Sequence, residues 1–580
     1  MLNVKRIRIL SKAYQWLKKN DHAVVSLFFS LVLAVLLVNA FHEMYPDEFD
    51  NILGGWYITH GVPIYTGFFT HHGPVAYFIS AVITLVTQNS FVAFRIAFAI
   101  LVFSHLVWSY VYLRRKVGKD RSVFYLVFVG IIALAGNYYW LHMILADTLA
   151  AYFLAPVIAL LLISSYFKLA LTRKDMIVIS LLTSMTVLSS LTFLFLSILI
   201  YLYSCYFYLR SNSIKIFSRR TGELALIFLA PYFVFFVYLV ATASLKEYIY
   251  QGWVFNQKYY VYNYPRPDGV TRINPIRYAV VIANTFYNSY FTLLEQVKTL
   301  NIGFPLNITL ASGTFGTALY FFIKKRYLFA TTFLGFLIYA NSRSDPLNSK
   351  ETDYQSAVYI MIAFIVIPFI LIEIFRKVDD NKRLGERIVS IVLFLTIGFY
   401  ALFSSLFLFQ KFFNRTYEKY MGYASLIYDR PEIAPVINKI VDVNEPVWIG
   451  PFEFRELLYV HGKPASQYQI FIPGMGYSPE IRGKFIQDFE KSKPSIIYFQ
   501  KTYFILGRSP ETYGQFFLDY LNSHYITLFD YRDNGIRYRS TVAKSDTLDL
   551  EGRLYIRKEK ARDVIRRMLD QKLVYPSSEE

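Results

Sequence analysis

The stretch "HAVVSLFFSLVLAVLLVNAFHEMYPDEFD" (residues 22–50) decides the fold. Its first twenty residues, His22 to Phe41, carry no Asp, Glu, Lys or Arg. As an α-helix they reach roughly 30 Å, the thickness of a bilayer's hydrocarbon core. The next nine residues then hold four carboxylates, Glu43, Asp47, Glu48 and Asp50. A membrane helix therefore ends directly at an acidic mouth. The cations before it, among them Lys5, Arg6, Arg8, Lys18 and Lys19, resemble the start of a signal sequence. The many apolar runs that follow make this segment an uncleaved first helix.

The chain of 580 residues is 55% hydrophobic and 19% aromatic, which excludes a soluble protein. Further spans are expected at about 91–113, 122–138, 148–166, 176–191, 192–209, 224–243, 303–323, 327–341, 356–375 and 388–410, eleven in all with the first. The apolar run 75–88 is short, and the total becomes thirteen if it and one other short run cross. Either odd total puts the two termini on opposite sides.

The net charge of +19 does not indicate nucleic acid, because the cations cluster between spans, in "RRKVGKDR" (114–121), "KLALTRKD" (168–175), "SIKIFSRR" (213–220), "KKR" (324–326) and "RKVDDNKRLGER" (376–387). Alternating spans bring all five joints to one face, the cytoplasmic one. The N-terminus is then cytoplasmic and the C-terminus extracytoplasmic, in the cytoplasmic (inner) membrane. Cys205, the single cysteine, lies in an aromatic run, so no intramolecular disulfide forms and it reads as an inert apolar side chain.

From about 411 the texture is that of a soluble domain. Short strands "PVWIG", "SIIYFQ" and "RLYIR" alternate with helices such as "SPEIRGKFIQDFEKSK" and "PETYGQFFLDYLNSHY". The expected fold class is mostly α: a polytopic helical membrane protein of 11 to 13 spans, residues 1–410, with a small extracytoplasmic α/β domain, residues 411–580.

The outer loops hold the chemistry. Asp47 and Glu48 follow a proline in an aromatic and apolar setting, where a desolvated carboxylate gains basicity and suits a general base. Glu43 and Asp50 read as solvated surface charge. Asp147, at the start of a span, reads as a helix N-cap or as a second acid facing the same cavity. The loop 244–280 sets Lys246, Lys258, Arg266, Arg272 and Arg277 against Glu247 and Asp268, five cations less two acids or net +3, with eight aromatics between Tyr248 and Tyr264. Aromatics mixed with outward cations suit sugar rings and phosphates, and an interfacial aromatic belt accounts for the same pattern. Arg343, Lys350, Glu351, Asp353 and Tyr354 precede a further span, where an arginine and a lysine can hold a lipid-linked phosphate. No P-loop, dinucleotide fingerprint, HExxH or GxSxG is present, and the nine histidines show no metal spacing. His71 and His72 with Asp47 form the one conceivable metal group, and a hydrogen-bonding role is the better reading of it. The sequence requires no cofactor.

The ordered motifs "YPDEFDNILGGWYITHGVPIY", "HHGPVAYFISAVI", "FVAFRIAFAILVFSHLVWSYVYLRRKVG" and "MILADTLAAYFLAPVIALL" resemble those of the GT-C class of membrane glycosyltransferases, in the branch of protein O-mannosyltransferases and the lipid A aminoarabinose transferase. The resemblance covers about residues 20–210, and the plan of many spans with an outer C-terminal domain extends it over the chain. It implies an inverting transfer of a sugar from a polyprenyl-phosphate donor to an acceptor hydroxyl on a glycan, lipid or protein, at the outer face of the membrane. It implies Asp47 as the base, Asp147 as the second acid, Glu48 as an orienting member of the acidic pair, and His71 and His72 against the donor's phosphate or sugar. Lys258, Arg343, Lys350 and Tyr354 lie in loops where relatives hold the lipid phosphate. A transporter or flippase of lipid-linked saccharides is the alternative, but transporters keep ionisable groups at the midplane and show related halves. An assembly protein with an inactive membrane part would leave the ordered acidic loop without a reason.

Overall fold

The computed structural model describes residues 21–42, 44–209, 214–260, 304–340, 354–380 and 431–577, with isolated positions between. The first helices are α1 (Asp21–Asn39), α2 (Pro46–Thr59), α3 (Val75–Thr87), α4 (Phe91–Val117), α5 (Lys119–Ala135) and α6 (Ala146–Phe167). They are followed by α7 (Arg173–Ser189), α8 (Leu194–Leu209), α9 (Ile214–Ala241), α10 (Phe304–Ile323), α11 (Tyr327–Tyr339) and α12 (Ala357–Asp380). In a bilayer a backbone must satisfy its own hydrogen bonds, so apolar runs of this length fold as helices. The chain is a multi-pass helical membrane protein.

Among the described residues five helices are long and apolar enough to cross: Asp21–Asn39, Phe91–Val117, Ala146–Phe167, Leu191–Leu209 and Arg220–Ala241. Shorter apolar helices occupy Val75–Thr87, Gly313–Ile323, Tyr327–Tyr339 and Ala357–Glu373. The expected spans 122–138, 176–191 and 327–341 fall on α5, α7 and α11, of 17, 17 and 13 residues, short of the roughly 20 residues that a full crossing of the hydrocarbon core takes. The expected span 388–410, the cations Arg266, Arg272, Arg277, Arg343 and Lys350, and the acid Glu43 lie outside the described residues.

Ion pairs at its two ends orient the bundle. Arg114 and Lys119 meet Asp21 at one end, whereas Arg95 meets Glu48 at the other, so α1 and α4 run antiparallel. Lys116 pairs with Asp175 and Arg173 with Glu223, which brings the cationic joints 114–121 and 168–175 to the Asp21 end. α6 is the most enclosed span, 94% buried over its apolar window, between α7, α12 and α4.

The C-terminal part holds a five-stranded sheet ordered β2-β1-β3-β7-β4, with β1 (Pro446–Gly450), β2 (Lys463–Pro464), β3 (Ile496–Phe499), β4 (Tyr525–Thr527) and β7 (Leu554–Arg557). β1 is parallel to β2 and β3, and β7 is antiparallel to β3 and β4. A smaller sheet joins β5 (Arg532–Asp533), β6 (Ile536–Ser540) and β8 (Val574–Ser577). The helices are α13 (Phe454–Tyr459), α14 (Pro479–Ser492), α15 (Gln515–His524) and α16 (Ala561–Asp570). Trp448 of β1 packs against Phe485 and Phe489 of α14 and Phe517 of α15, which supplies the apolar cover that parallel strands need.

This part sits directly on the acidic end of the bundle. α13 packs against α2, the Phe69 N–H donates to the Gln467 carbonyl at 2.8 Å, and Lys484 meets Glu247 at 2.8 Å. α2 is thereby held between α3 on one side and α13 on the other.

Candidate active site

Helix α2 starts at Pro46, so its first turn carries Asp47 and Glu48 where the N-terminal partial charge favours anions. Each residue of an α-helix rotates about 100°, so Asp47 and Asp50, three apart, share a face while Glu48 points elsewhere. Glu48 is fully buried (0% exposed) and accepts from Arg95 Nη2 at 2.5 Å and from the Ile144 N–H at 3.4 Å. The same guanidinium reaches the Ala40 carbonyl, so the pair fastens α2 to both α1 and α4.

A second tie comes from Asn51, whose Nδ2 donates to the Asp47 carbonyl at 3.0 Å and to the Ile144 carbonyl at 2.9 Å. It draws the 140–146 turn, and with it the start of α6, against α2. Asp147 stands in the first turn of α6 and is 9% exposed. Of its two sequence readings the N-cap does not hold, because the cap position is Leu145 and no side chain caps this helix.

The segment between α2 and α3 supplies the histidines. Gly73 lets it approach the end of α7: a Cβ there would sit 2.1 Å from the Leu188 carbonyl. The rings of His71 and His72 lie with centroids 4.1 Å apart, tilted by 37°, and Tyr260 lies 4.3 Å from the His71 ring. Their backbone is held by Asn256 donating to the His71 carbonyl and Tyr65 donating to the His72 carbonyl, each at 3.1 Å.

Asp50 departs from its sequence reading. It is 7% exposed rather than a solvated surface charge, because α3 and the C-terminal part cover it. Tyr77 of α3 donates to its Oδ2 at 2.7 Å. α3 can come this close because α2 presents Gly54 and Gly55: a Cβ on Gly55 would lie 2.5 Å from the Ser80 Cβ. Asp50 lies outside the membrane-spanning segments, and burial pushes its carboxyl up to about 8, with the charge of Asp47 adding to the rise and Tyr77 opposing it.

These residues enclose a cavity of about 360 Å³ whose walls include Asp47, Asp50, His71, His72 and Asp147. Its roof comes from the C-terminal part, through Phe452, Phe454, Tyr503 and Phe504. A second cavity of about 510 Å³ is mostly apolar, with Leu191, Phe235, Phe236 and Trp253 in its wall. Leu191, Phe236 and Trp253 are exposed, so this channel opens on the flank of the bundle. His71, His72, Ser190 and Tyr260 line both cavities and mark their junction.

Of the residues singled out in the sequence, the cavity gathers Asp47, Asp147, His71 and His72. Glu48 lies behind it in its ion pair. Lys258 is exposed on the π-helical segment Tyr250–Tyr260 and lines neither cavity. Tyr354 begins a short 3-10 turn, and its side chain lies outside the described residues. Asp50, Tyr77 and the roof aromatics were not anticipated. The spacing of three between Asp47 and Asp50 was the available signal for the first. No group of three or more His, Cys, Asp or Glu suited to a metal occurs among the described residues.

No protein-family model matches this sequence, and no curated protein matches it. The chain is similar in structure to ArnT from Cupriavidus metallidurans. The ArnT structure bound to undecaprenyl phosphate aligns with a TM-score of 0.47 and 14% identity, covering 88% of this chain and 96% of that one. The apo structure aligns with a TM-score of 0.46 and 13% identity, covering 88% and 97%.

Proposed function

We propose that this protein transfers a sugar from a polyprenyl-phosphate donor to an acceptor hydroxyl, with inversion, on the side of the membrane that carries the C-terminal part. The observation that carries the reading is the pair of cavities meeting at His71 and His72. A lipid-linked donor is an apolar chain joined through a phosphate to a polar ring. The apolar channel suits the chain, the carboxylate-lined cavity suits the sugar, and the adjacent histidines stand where the phosphate would lie.

In this reading Asp47 takes the proton from the acceptor hydroxyl. The oxygen attacks the anomeric carbon, the carbon–oxygen bond to the phosphate breaks, and its electron pair leaves on the lipid phosphate. His71 and His72 meet that charge, and Asp147, which lines the same cavity, orients the sugar or the acceptor. One direct displacement without a covalent intermediate inverts the anomeric centre. The aromatic roof excludes water, which would otherwise compete as acceptor. No role is given to Lys258. Arg343 and Lys350 remain candidates for the phosphate by their place in the sequence.

The test is transfer from radiolabelled polyprenyl-phosphate sugars by the purified protein, with detergent extracts of host membranes as acceptor. Asp47→Asn should lower turnover at least about 100-fold, the usual scale of a lost general base, while unfolding like the wild type. Equal activity would remove Asp47 from the mechanism. No turnover with any donor by the folded wild type would refute the reading and favour lipid-linked saccharide transport.

A further inference from the structure

Asp50 is the carboxyl group in the described lining of the cavity that the transfer step leaves without a part. Two buried carboxylates of α2 have opposite surroundings. Glu48 is neutralised by Arg95, whereas Asp50 has no basic side chain in ion-pair contact among the described residues. Its hydrogen bonds form a directed chain. The His72 N–H donates to Thr70 Oγ1 at 3.1 Å, Thr70 Oγ1 and Tyr77 Oη are 2.6 Å apart, and Tyr77 donates to Asp50 Oδ2 at 2.7 Å. Since Tyr77 spends its one proton on Asp50, Thr70 must donate to Tyr77, which leaves Thr70 as acceptor for His72. Every donor in the chain runs toward Oδ2. That oxygen is an acceptor, and a proton held by the carboxyl resides on Oδ1.

We propose that Asp50 stands as an un-ionised carboxylic acid one helical turn from Asp47, so that the two cavity-facing acids of α2 share a single negative charge, which stays on Asp47. Asp50 is then a positioning residue that acts through the base. This rests on the transfer reading given above. An uncompensated buried carboxylate is costly and takes up a proton instead, the more so beside a second acid. The upward push on the Asp50 carboxyl to about 8 agrees with this. A neutral Asp50 also keeps the cavity from presenting two adjacent anions to a phosphate-bearing donor.

Among the described residues, titratable groups stand around Asp50 on several elements. Asp47 shares its helix face, and Glu48 is closed off by Arg95 of α4. Tyr77 faces it from α3, and His71 and His72 stand on the connecting segment. Asp147 of α6, Tyr260 of the π-helical segment and Tyr45 and Tyr503 complete the wall. Asp50 would shape the alkaline side of a pH profile.

The experiment is the pH profile of transfer, with an infrared measurement that needs no turnover. Wild-type kcat/KM should fall above about pH 8 as Asp50 ionises. Asp50→Asn, which keeps an acceptor for Tyr77 and cannot ionise, should retain at least about a tenth of the rate at pH 7, unlike the loss of a base, and lack the alkaline fall. Tyr77→Phe removes a donor that favours the anion, so the fall should move to higher pH. In infrared difference spectra between pH 7 and pH 9.5, the wild type should show a carboxylic C=O component that Asp50→Asn lacks, beside the component that Glu453, pushed up to about 7 by burial, gives in both. A folded Asp50→Asn that is inactive at every pH, or that keeps the wild-type alkaline fall, overturns the proposal, as does an unchanged infrared band. The infrared band without turnover in any variant would uphold the neutral acid and refute the transfer reading instead.

Discussion

Replacing Arg95 by Met tests whether the acid-bearing helix is fixed by one buried ion pair. The substitution leaves Glu48 fully enclosed with the Ile144 N–H at 3.4 Å as its remaining described donor. Removing one partner of a buried pair costs about 3–5 kcal/mol, because the surviving charge loses its compensation but not its burial. That is roughly two to four powers of ten in the unfolding equilibrium. Removing both charges, in Glu48→Gln with Arg95→Met, eliminates the uncompensated charge, and such replacements are often neutral. The double variant should return to within about 1 kcal/mol of the wild type. The assay is denaturant unfolding in detergent micelles followed by tryptophan fluorescence. Trp56 on α2 and Trp140, 4.6 Å from the Tyr45 ring, report on the helix concerned. Arg95→Met unfolding with the wild type, or a double variant as weak as the single one, would refute the reasoning.

Two further outcomes follow from the packing and the cavities. Gly55→Ala places a Cβ 2.6 Å from the Ala81 backbone nitrogen, so α2 and α3 must separate at a cost of about 1–3 kcal/mol; Gly222→Ala, which meets nothing within 4 Å, should be neutral or slightly stabilising in the same melt. If the apolar channel holds the donor's chain, shortening the prenyl chain should raise KM with little change in kcat. Phe236→Asp should then raise KM for long-chain donors and spare short-chain ones, and an equal effect on both would exclude the channel as the lipid site.

Much of the architecture is legible in the sequence. Uncharged apolar runs must form helices in a bilayer, and "PVWIG", "SIIYFQ" and "RLYIR" become β1, β3 and β7. Span number was less legible, because length decides a crossing and the expected span 327–341 becomes the 13-residue helix α11. Asp47, Asp147, His71 and His72 could be singled out because acids and histidines interrupt apolar texture.

What composition could not assign was the work of each carboxylate. Glu48 and Asp50 are two residues apart on one helix and both are buried. One is neutralised by an arginine 47 residues further on, and the other meets a tyrosine 27 residues further on. The roof over the cavity that Asp50 lines comes from Phe452 to Phe504, some four hundred residues later in the chain. The sequence by itself determined that this chain crosses a membrane and carries acids at the mouth of its first helix, since transfer free energy acts on each residue where it stands. Only the tertiary structure decided which acid is ion-paired, which stays uncompensated and which faces the cavity, because charge state depends on solvation and neighbours that distant segments bring.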